Sequence, residues 1–184
     1  GGAFSMIILT GMPGSGKDEF VKIAREMGYS DVHMGETVKE FAKEAGIPMV
    51  DKEIGQFASS ERRSHGMEIW AKRTAERIND PEKTIVDGLR NIEELEFFKS
   101  HYDSVIVVAI YANRQERLNR ILKRNRIDDV RNENELEMRD GRELTWGIGR
   151  TISLADHMIV NDGTLEEFHK KVRVFLASLV SNHS

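Results

Sequence analysis

Cysteine is absent from the 184-residue chain, and proline and aromatic residues are sparse, at three prolines and 7% aromatics. Without cysteine the protein forms neither disulfide bonds nor thiolate metal sites, which suits the reducing cytoplasm in which we expect it. No apolar run reaches the roughly twenty residues that span a bilayer, so we expect no membrane partner. The net charge of −4 gives no basic excess, and we expect no nucleic-acid partner either.

The length favours one domain, which we place at residues 6–184. Residues 1–5 precede the first methionine, and we interpret them as a remnant of cloning. The sequence pattern does not indicate an oligomeric state.

A glycine-rich turn follows the first apolar run, Met6 to Thr10, and precedes a helix-like pattern. Its spacing fits G-x-x-x-x-G-K, the first seven positions of a Walker A loop. Glycines let backbone N–H groups turn towards an anion, and the helix that follows presents more of them. We therefore predict that nucleotide phosphates bind to Gly11, Met12, Pro13, Gly14, Ser15, Gly16, Lys17 and Asp18, with Lys17 also catalytic.

Asp18 departs from the Walker A pattern, because its position normally holds Ser or Thr, whose hydroxyl ligates Mg²⁺. A carboxylate is also a good oxygen ligand for Mg²⁺, although without the metal it would repel phosphate. We predict that Asp18 holds Mg²⁺, either directly or through water.

A second acidic residue, Asp87, ends the short apolar strand Thr84 to Val86, as in a Walker B arrangement. The prediction is that Asp87 is catalytic and contributes to the Mg²⁺ site; the alternative is an ordinary Asp-Gly turn. Arg90 follows closely and could clamp an acceptor phosphate with two hydrogen bonds, the alternative being a solvated charge at a helix start. Arg62 is a further candidate for the acceptor site.

Residues 114–150 contain nine Arg and one Lys, interspersed with eight acids. We predict a lid at about 124–149 that closes over the phosphates and supplies Arg to the moving phosphoryl group. The candidates are Arg120 and Arg124 as nucleotide ligands, with Arg126 and Arg139 as catalytic residues. A salt-bridged, solvated helix is the alternative, and it is our interpretation for Arg114, Arg117 and Arg131. The histidines at 33, 65, 101 and 157 lack metal-ligand spacing, and we interpret them as ordinary surface or core residues.

The last predicted strand, His157 to Val160, runs into a tight turn that includes Asn161 and Gly163. That turn could press its backbone against the adenine ring, so both residues are predicted nucleotide ligands. An ordinary αβ turn is the alternative. The helix that follows is predicted to be capped by Thr164 with Glu167.

Strand patterns alternate with helical patterns along the chain, which predicts an α/β fold of three layers, a mostly parallel five-stranded sheet between helices. Residues 35–80 form a helical region expected to bind the acceptor, including one helix from Asp51, as N-cap, to about residue 79 with a kink at Gly66. Leu122 and Leu165 are predicted to face the core of their helices. In such sheets ligands bind at the carboxyl ends of the strands.

The order of these motifs resembles the P-loop kinases of nucleoside monophosphates, and most closely the uncharacterised archaeal P-loop proteins described as adenylate-kinase-related. The resemblance is carried by Gly11 to Lys17, Asp87 to Arg90 and Arg142 to Gly149. Adenylate kinases end the third strand with Asp-Gly-[Phe/Tyr]-Pro-Arg, whose arginine grips the monophosphate; the segment ending at Arg90 is one residue shorter and lacks the proline.

Two further segments extend the resemblance. Adenylate-kinase lids carry Arg-x-Asp-Asp and a later arginine, which Arg126 to Asp129 matches, with Arg139 slightly too far along. Residues 155–166 are similar to the adenine-binding stretch of dephospho-coenzyme A kinases. The resemblance implies ATP as phosphoryl donor.

The sequence therefore predicts a kinase that uses ATP and Mg²⁺ and acts on a nucleoside monophosphate such as AMP, or on a nucleotide-like small molecule. The alternative from another class is a nucleotide-binding regulatory protein or slow ATPase without an acceptor. A third possibility is an acceptor outside the nucleotides, such as dephospho-coenzyme A, a sugar or RNA.

Overall fold

The computed structural model describes residues 5–126 and 129–181. Its strands are β1 (Met6–Thr10), β2 (Ser30–His33), β3 (Thr84–Asp87), β4 (Val105–Tyr111) and β5 (His157–Val160). Its helices are α1 (Lys17–Glu26), α2 (Met34–Glu44), α3 (Asp51–His65), α4 (Ile69–Ala75), α5 (Ile92–His101), α6 (Arg114–Arg124), α7 (Glu133–Trp146), α8 (Ile148–Ser153) and α9 (Leu165–Ser181).

The five strands form one sheet in the order β2-β3-β1-β4-β5, and every neighbouring pair is parallel. All carboxyl ends therefore meet at one edge. There, the register places Leu9 of β1 opposite Asp87 of β3, and Asp87 opposite His33 of β2. The predicted α/β class and sheet size are confirmed, and the turn after β1 opens beside the end of β3.

Helices cover both faces of the sheet, because the central strands are apolar on both sides. One face packs Ile7 and Leu9 against α1 and α9, with Phe20 and Phe168 fully buried. The other face packs strand residues against α2 to α5 around Trp70, which is fully buried. A smaller apolar cluster joins α6 to α7 through residues such as Leu118 and Leu136. These layers leave the carboxyl edge of the sheet lined with polar residues.

The single kinked helix predicted over residues 51–79 is wrong, since α3 ends at His65 and α4 begins at Ile69. Gly66 lies between them with φ of +107°, a backbone conformation that stops a helix rather than bending it. Asp51 is the first helical residue and Val50 the N-cap, so the Asp51 carboxylate is available for contacts with α7.

Two core predictions were also wrong. Leu122 is 43% exposed and Leu165 is 56% exposed, because each lies on the outward side of its helix. The predicted cap at Thr164 is confirmed: the Glu167 N–H donates to Thr164 Oγ1, and the Thr164 N–H donates to the Glu167 carboxylate.

Of the five residues interpreted as a remnant of cloning, the first four lie outside the described residues. Ser5 is buried, and its Oγ lies 2.5 Å from Ser104 Oγ. Within the described part of the chain, no helix is long and apolar enough to cross a membrane.

Candidate active site

The loop from Gly11 to Lys17 is packed against its surroundings at its glycines. A Cβ on Gly14, where φ is +77°, would lie 2.8 Å from the Arg117 carbonyl oxygen and 2.9 Å from the Ile121 side chain. Gly16 has φ of +115°, and α1 begins directly after it. The loop therefore requires glycine at these positions, both for its backbone conformation and because a side chain would not fit. The loop also places the N-terminus of α1 at the edge of the sheet, where the N–H groups of the helix attract anions.

Lys17 is the first residue of α1, and its Nζ donates to the carbonyl oxygens of Gly11 at 2.9 Å and Met12 at 3.3 Å. Burial lowers the pKa of the Lys17 ammonium below its usual value, opposed by the attraction of Asp87 and Glu143. The structure thus brings Lys17 and Asp87 together as predicted, with the ammonium over the loop that would hold the phosphates.

Asp87 ends β3 beside the loop, and only one of its carboxylate oxygens has a partner within the described residues. Its Oδ2 lies 3.0 Å from His33 Nδ1, whereas its Oδ1 is buried without a hydrogen bond. A buried carboxylate oxygen with no partner fits a hydrated Mg²⁺, which retains several waters and binds one or two protein carboxylates together with phosphate oxygens. Among the described residues there is no group of three or more His, Asp or Glu side chains that could hold a metal ion.

His33 contacts Asp87 across the strands, although the sequence interpretation treated it as an ordinary histidine. The ring also reaches Asp31, with Nε2 2.5 Å from Oδ2, and Asp31 in turn accepts two hydrogen bonds from Arg25. The hydrogen bond to Asp87 raises the pKa of His33 to about 9, against the opposing effect of burial. The signal available in the sequence was a polar residue at the end of a predicted strand; the pairing of that strand, β2, with β3 comes from the structure.

Asp18, predicted to ligate Mg²⁺, lies against the lid arginines. Its Oδ2 accepts from Arg126 Nη2 at 2.7 Å and from Arg124 Nη1 at 3.4 Å. Although burial opposes ionisation, Arg124 and its neighbours hold the pKa of Asp18 below its usual value. Arg124 also forms two hydrogen bonds to Asp129, at 2.6 and 3.0 Å. Of the lid motif that begins at Arg126, residues 127 and 128 lie outside the described residues.

Arg90 extends from the segment after β3 into the cleft, where a buried carboxylate meets it. Its Nε lies 3.2 Å from Glu143 Oε2, and its Nη1 donates to the Gly88 carbonyl at 2.6 Å. Burial alone would raise the pKa of Glu143, but Arg90, Arg139 and Lys17 together lower it, so the carboxylate is ionised. Glu143 was not among the predicted site residues; it is 3% exposed and lies within this group of cations.

Arg62 is 3% exposed and lies within the acceptor region rather than on its surface. Its guanidinium stacks 4.1 Å from the Trp146 ring centre and lies 3.6 Å from Glu94, a carboxyl whose pKa burial raises. Two of its nitrogens, Nε and Nη1, have no hydrogen-bond partner among the described residues. The structure therefore places Arg62 beneath Trp146, which itself donates to Ser59 Oγ at 2.6 Å.

The predicted lid is folded onto the acceptor region through α7. Arg139 lies 3.6 Å from Asp51 and 3.5 Å from Asp129, and Arg142 also pairs with Asp51. These contacts hold α7 over the start of α3, so that Arg139 faces the same cleft as Lys17.

Two arginines of α6 hold the phosphate loop from below. Arg117, interpreted from the sequence as solvated, is buried; it donates to the Pro13 carbonyl at 3.1 Å and forms two hydrogen bonds to Asp140 at 3.0 and 2.9 Å. Arg120 donates to the Gly14 and Ser15 carbonyls, each at 3.3 Å, and to the Asn161 carbonyl at 3.0 Å. The solvated interpretation of Arg117 was wrong because α7 covers it.

The segment after β5, predicted to contact adenine, also reaches the loop. Asn161 Nδ2 donates to the Ser15 carbonyl at 3.0 Å, which ties the two segments together. A surface cleft beside them is lined by residues of both, including Arg120, Asn161, Gly163 and Leu165. The exposed side chain of Leu165 is therefore an apolar surface next to the loop.

Two further cavities meet at the carboxyl edge of the sheet; after the roles proposed below, we call them the donor cavity and the acceptor cavity. The donor cavity is bounded by the loop, Lys17, Asp18, His33 and Asp87. The acceptor cavity is bounded by α2, α3 and α7, with Val38, Ile54, Ala58 and Trp146 as its apolar wall. Residues that line both are Gly35, Lys39, Arg90, Arg124, Arg126, Arg139 and Glu143.

Known structures share this fold. A shikimate kinase from Bacteroides thetaiotaomicron has a TM-score of 0.63 at 14% identity, covering 95% of this chain and 99% of that one. A gluconokinase from Sinorhizobium meliloti 1021 has a TM-score of 0.59 at 18% identity, covering 97% and 94%. At these identities the likeness shows the fold alone, a P-loop fold that kinases use.

The sequence has nearer relatives. Residues 7–140 match the AAA domain family. A UPF0200 protein of Thermoplasma acidophilum is 59% identical over 176 residues, covering 96% of this chain and 97% of that protein. Another, from Methanoregula boonei, is 36% identical over 177 residues, covering 95% and 97%. The protein therefore belongs to the UPF0200 family and carries its P-loop within an AAA domain.

Proposed function

We propose that the protein is an ATP- and Mg²⁺-dependent phosphotransferase that acts on a nucleotide-like small molecule such as AMP. The observation that supports this best is the pair of adjoining cavities with a shared wall of arginines. A protein that only binds a nucleotide needs the donor cavity alone, whereas transfer needs two ligands side by side with cations between them.

In the donor cavity, the backbone N–H groups of the loop and Lys17 would hold the phosphates of ATP. The adenine would lie in the cleft beside Asn161 and Gly163, against Leu165. Arg120 contributes by fixing both walls of that cleft, since it bonds to the loop and to Asn161.

In the acceptor cavity, apolar and aromatic surface from Val38, Ile54 and Trp146 suits a flat ring, while Arg90 and Arg139 suit an anionic group. The Arg62 guanidinium stacks beneath Trp146, which forms part of the wall of this cavity. We therefore infer that Arg62 holds the Trp146 ring in position, in addition to any electrostatic effect of its charge. The adenylate-kinase resemblance and the choice of AMP are part of this proposal.

Magnesium would be held through Asp87, whose Oδ1 is available, and by the phosphate oxygens themselves. Bound there, the ion neutralises charge on the transferring phosphoryl group. Asp18 is the weaker candidate for the metal, since its carboxylate is directed at Arg124 and Arg126. These lid arginines, with Arg139, would stabilise the charge that spreads over the phosphoryl oxygens in the transition state.

A slow ATPase or nucleotide-dependent regulator is the second candidate, and one observation favours it. Arg90, the proposed acceptor clamp, already has Glu143 and Gly88 as partners. If those contacts persist with nucleotide bound, Arg90 organises the cleft and no acceptor is held.

A phosphoryl-transfer screen with Mg·ATP tests the proposal. The acceptors are nucleoside monophosphates, dephospho-coenzyme A and a set of phosphate-free sugars, and one arm contains buffer alone. The proposal expects product with a nucleotide-like acceptor at a rate well above phosphate release in buffer. Phosphate release that is the same with every acceptor would overturn it in favour of the ATPase.

A further inference from the structure

His33 links a surface ion pair to the Asp87 carboxylate through consecutive hydrogen bonds. Arg25 of α1 binds Asp31, Asp31 binds His33 Nε2, and His33 Nδ1 binds Asp87 Oδ2. His33 and Asp87 are also register partners on adjacent strands, so the backbone itself sets their separation. The side chains of Asp31, His33 and Asp87 are 11, 22 and 16% exposed, so bulk water has limited access to the bonds between them.

The chemistry of the linked side chains Asp31, His33 and Asp87 determines which groups donate hydrogen bonds. An ionised carboxylate only accepts, and a neutral imidazole donates from just one ring nitrogen. Because the Asp87 carboxylate only accepts, His33 Nδ1–H is the donor in the contact between them. That hydrogen bond restrains Asp87 Oδ2, while Oδ1 stays buried with no partner among the described residues.

We propose that His33 is a positioning residue of the phosphoryl-transfer site: it fixes the Asp87 carboxylate so that one oxygen is held and the other is directed to the hydrated Mg²⁺ of the bound nucleotide. This inference rests on the proposed function. Its physical basis is general, because partners that orient a metal-binding carboxylate commonly affect metal affinity by 10–100-fold when they are removed. Arg25 and Asp31 extend the effect by fixing the ring itself.

Substitutions at His33 can separate its two contacts. Asparagine places an amide nitrogen near the position of Nδ1, so H33N keeps the hydrogen bond to Asp87 and loses the one to Asp31. Glutamine is longer and places its amide nitrogen near the position of Nε2, so H33Q keeps the hydrogen bond to Asp31 and loses the one to Asp87. His65 provides a matched control, because it is an exposed histidine of α3 that is paired with Glu61.

The measurement is the affinity of a fluorescent ATP analogue at increasing Mg²⁺ concentration, for the wild type, H33N, H33Q and H65Q. We expect H33Q to raise the Mg²⁺ concentration for half-maximal effect roughly tenfold relative to H33N. H33N should stay within about threefold of the wild type in this Mg²⁺ response, and H65Q should match the wild type. Mg²⁺-free nucleotide affinity should be equal in H33N and H33Q, because both replace the ring by an uncharged amide, and retained unfolding transitions show that both variants are folded.

Three outcomes would overturn the inference. H33Q could respond to Mg²⁺ as the wild type does. H33N and H33Q could also show equally weakened responses to Mg²⁺, which would indicate that the His33 ring only supports the fold. H33Q could also bind nucleotide without Mg²⁺ more weakly than H33N does. A wild-type protein that binds no nucleotide at any Mg²⁺ concentration would instead contradict the proposed function itself.

Discussion

The arginines of the cleft are held by carboxylates of the same chain. Asp18 binds Arg126, Asp129 binds Arg124, and Glu143 binds Arg90. Phosphate oxygens that enter the cleft would compete for the same guanidinium groups. We therefore expect single carboxylates to set how strongly anions bind here, and Asp18 is the clearest case because it lies next to Lys17 at the start of α1.

Replacing Asp18 by asparagine should strengthen ATP binding without Mg²⁺ by up to about fivefold, because it weakens the competition for Arg126 and removes a negative charge beside the phosphates. The effect is modest since the Asp18 and Arg126 side chains are 48 and 54% exposed. Isothermal titration with ATP in EDTA measures it. Weaker binding of Mg·ATP, with binding in EDTA unchanged, would show instead that Asp18 ligates the metal.

His33 should titrate at about pH 9 rather than near its ordinary value of 6.5 in the protein without added nucleotide or metal. A pKa raised by folding contributes stability that is fully present below about pH 6.5 and is lost as the pH rises through 9. The charges facing the ring are Asp87, Asp31 and Glu36. NMR titration of the imidazole and urea unfolding between pH 6 and 10 measure both effects. A titration midpoint near pH 6.5 for His33 would contradict this account of the hydrogen bonds that link Arg25, Asp31, His33 and Asp87.

At the scale of elements, buried polar contacts join α6, α7 and the phosphate loop. Arg117 is the central contact, since it bonds to Pro13 of the loop and to Asp140 of α7. The Arg117 and Asp140 side chains are 7 and 12% exposed. A buried pair of this kind need not be more stabilising than apolar residues, but breaking it leaves one charge without a partner.

Arg117→Met should therefore destabilise the protein by about 3 kcal/mol, and adding Asp140→Leu should recover much of that loss. Arg114→Met is the matched control on the same helix: Arg114 is 44% exposed, and its substitution should change stability by less than about 0.5 kcal/mol. Urea unfolding at neutral pH gives all three values. Equal effects of the substitutions at 117 and 114 would show that the buried pair does not hold the elements together.

Across the whole molecule, features encoded by local sequence were predictable. The loop at Gly11, the acid at Asp87 and the alternation of strands and helices follow from spacing and periodicity, and the fold confirms them as structural features. The roles of His33, Glu143 and Arg117 depend on which elements become neighbours, namely the pairing of β2 with β3 and the docking of α7, and single-sequence periodicity does not specify these contacts. Arg62 lies on α3, within the helical region predicted from the sequence to bind the acceptor, but its burial beneath Trp146 depends on how α3 packs against α7.

The most direct test of the central claim is phosphoryl transfer by Lys17→Ala, measured with Mg·ATP and the acceptor identified in the screen. Lys17 would contact the phosphates with its charge in a buried site, so we expect the rate to fall roughly 10²–10³-fold or more, with the circular dichroism spectrum and unfolding transition retained. Transfer at a rate near that of the wild type would contradict the account, because the loop would then not be the donor site.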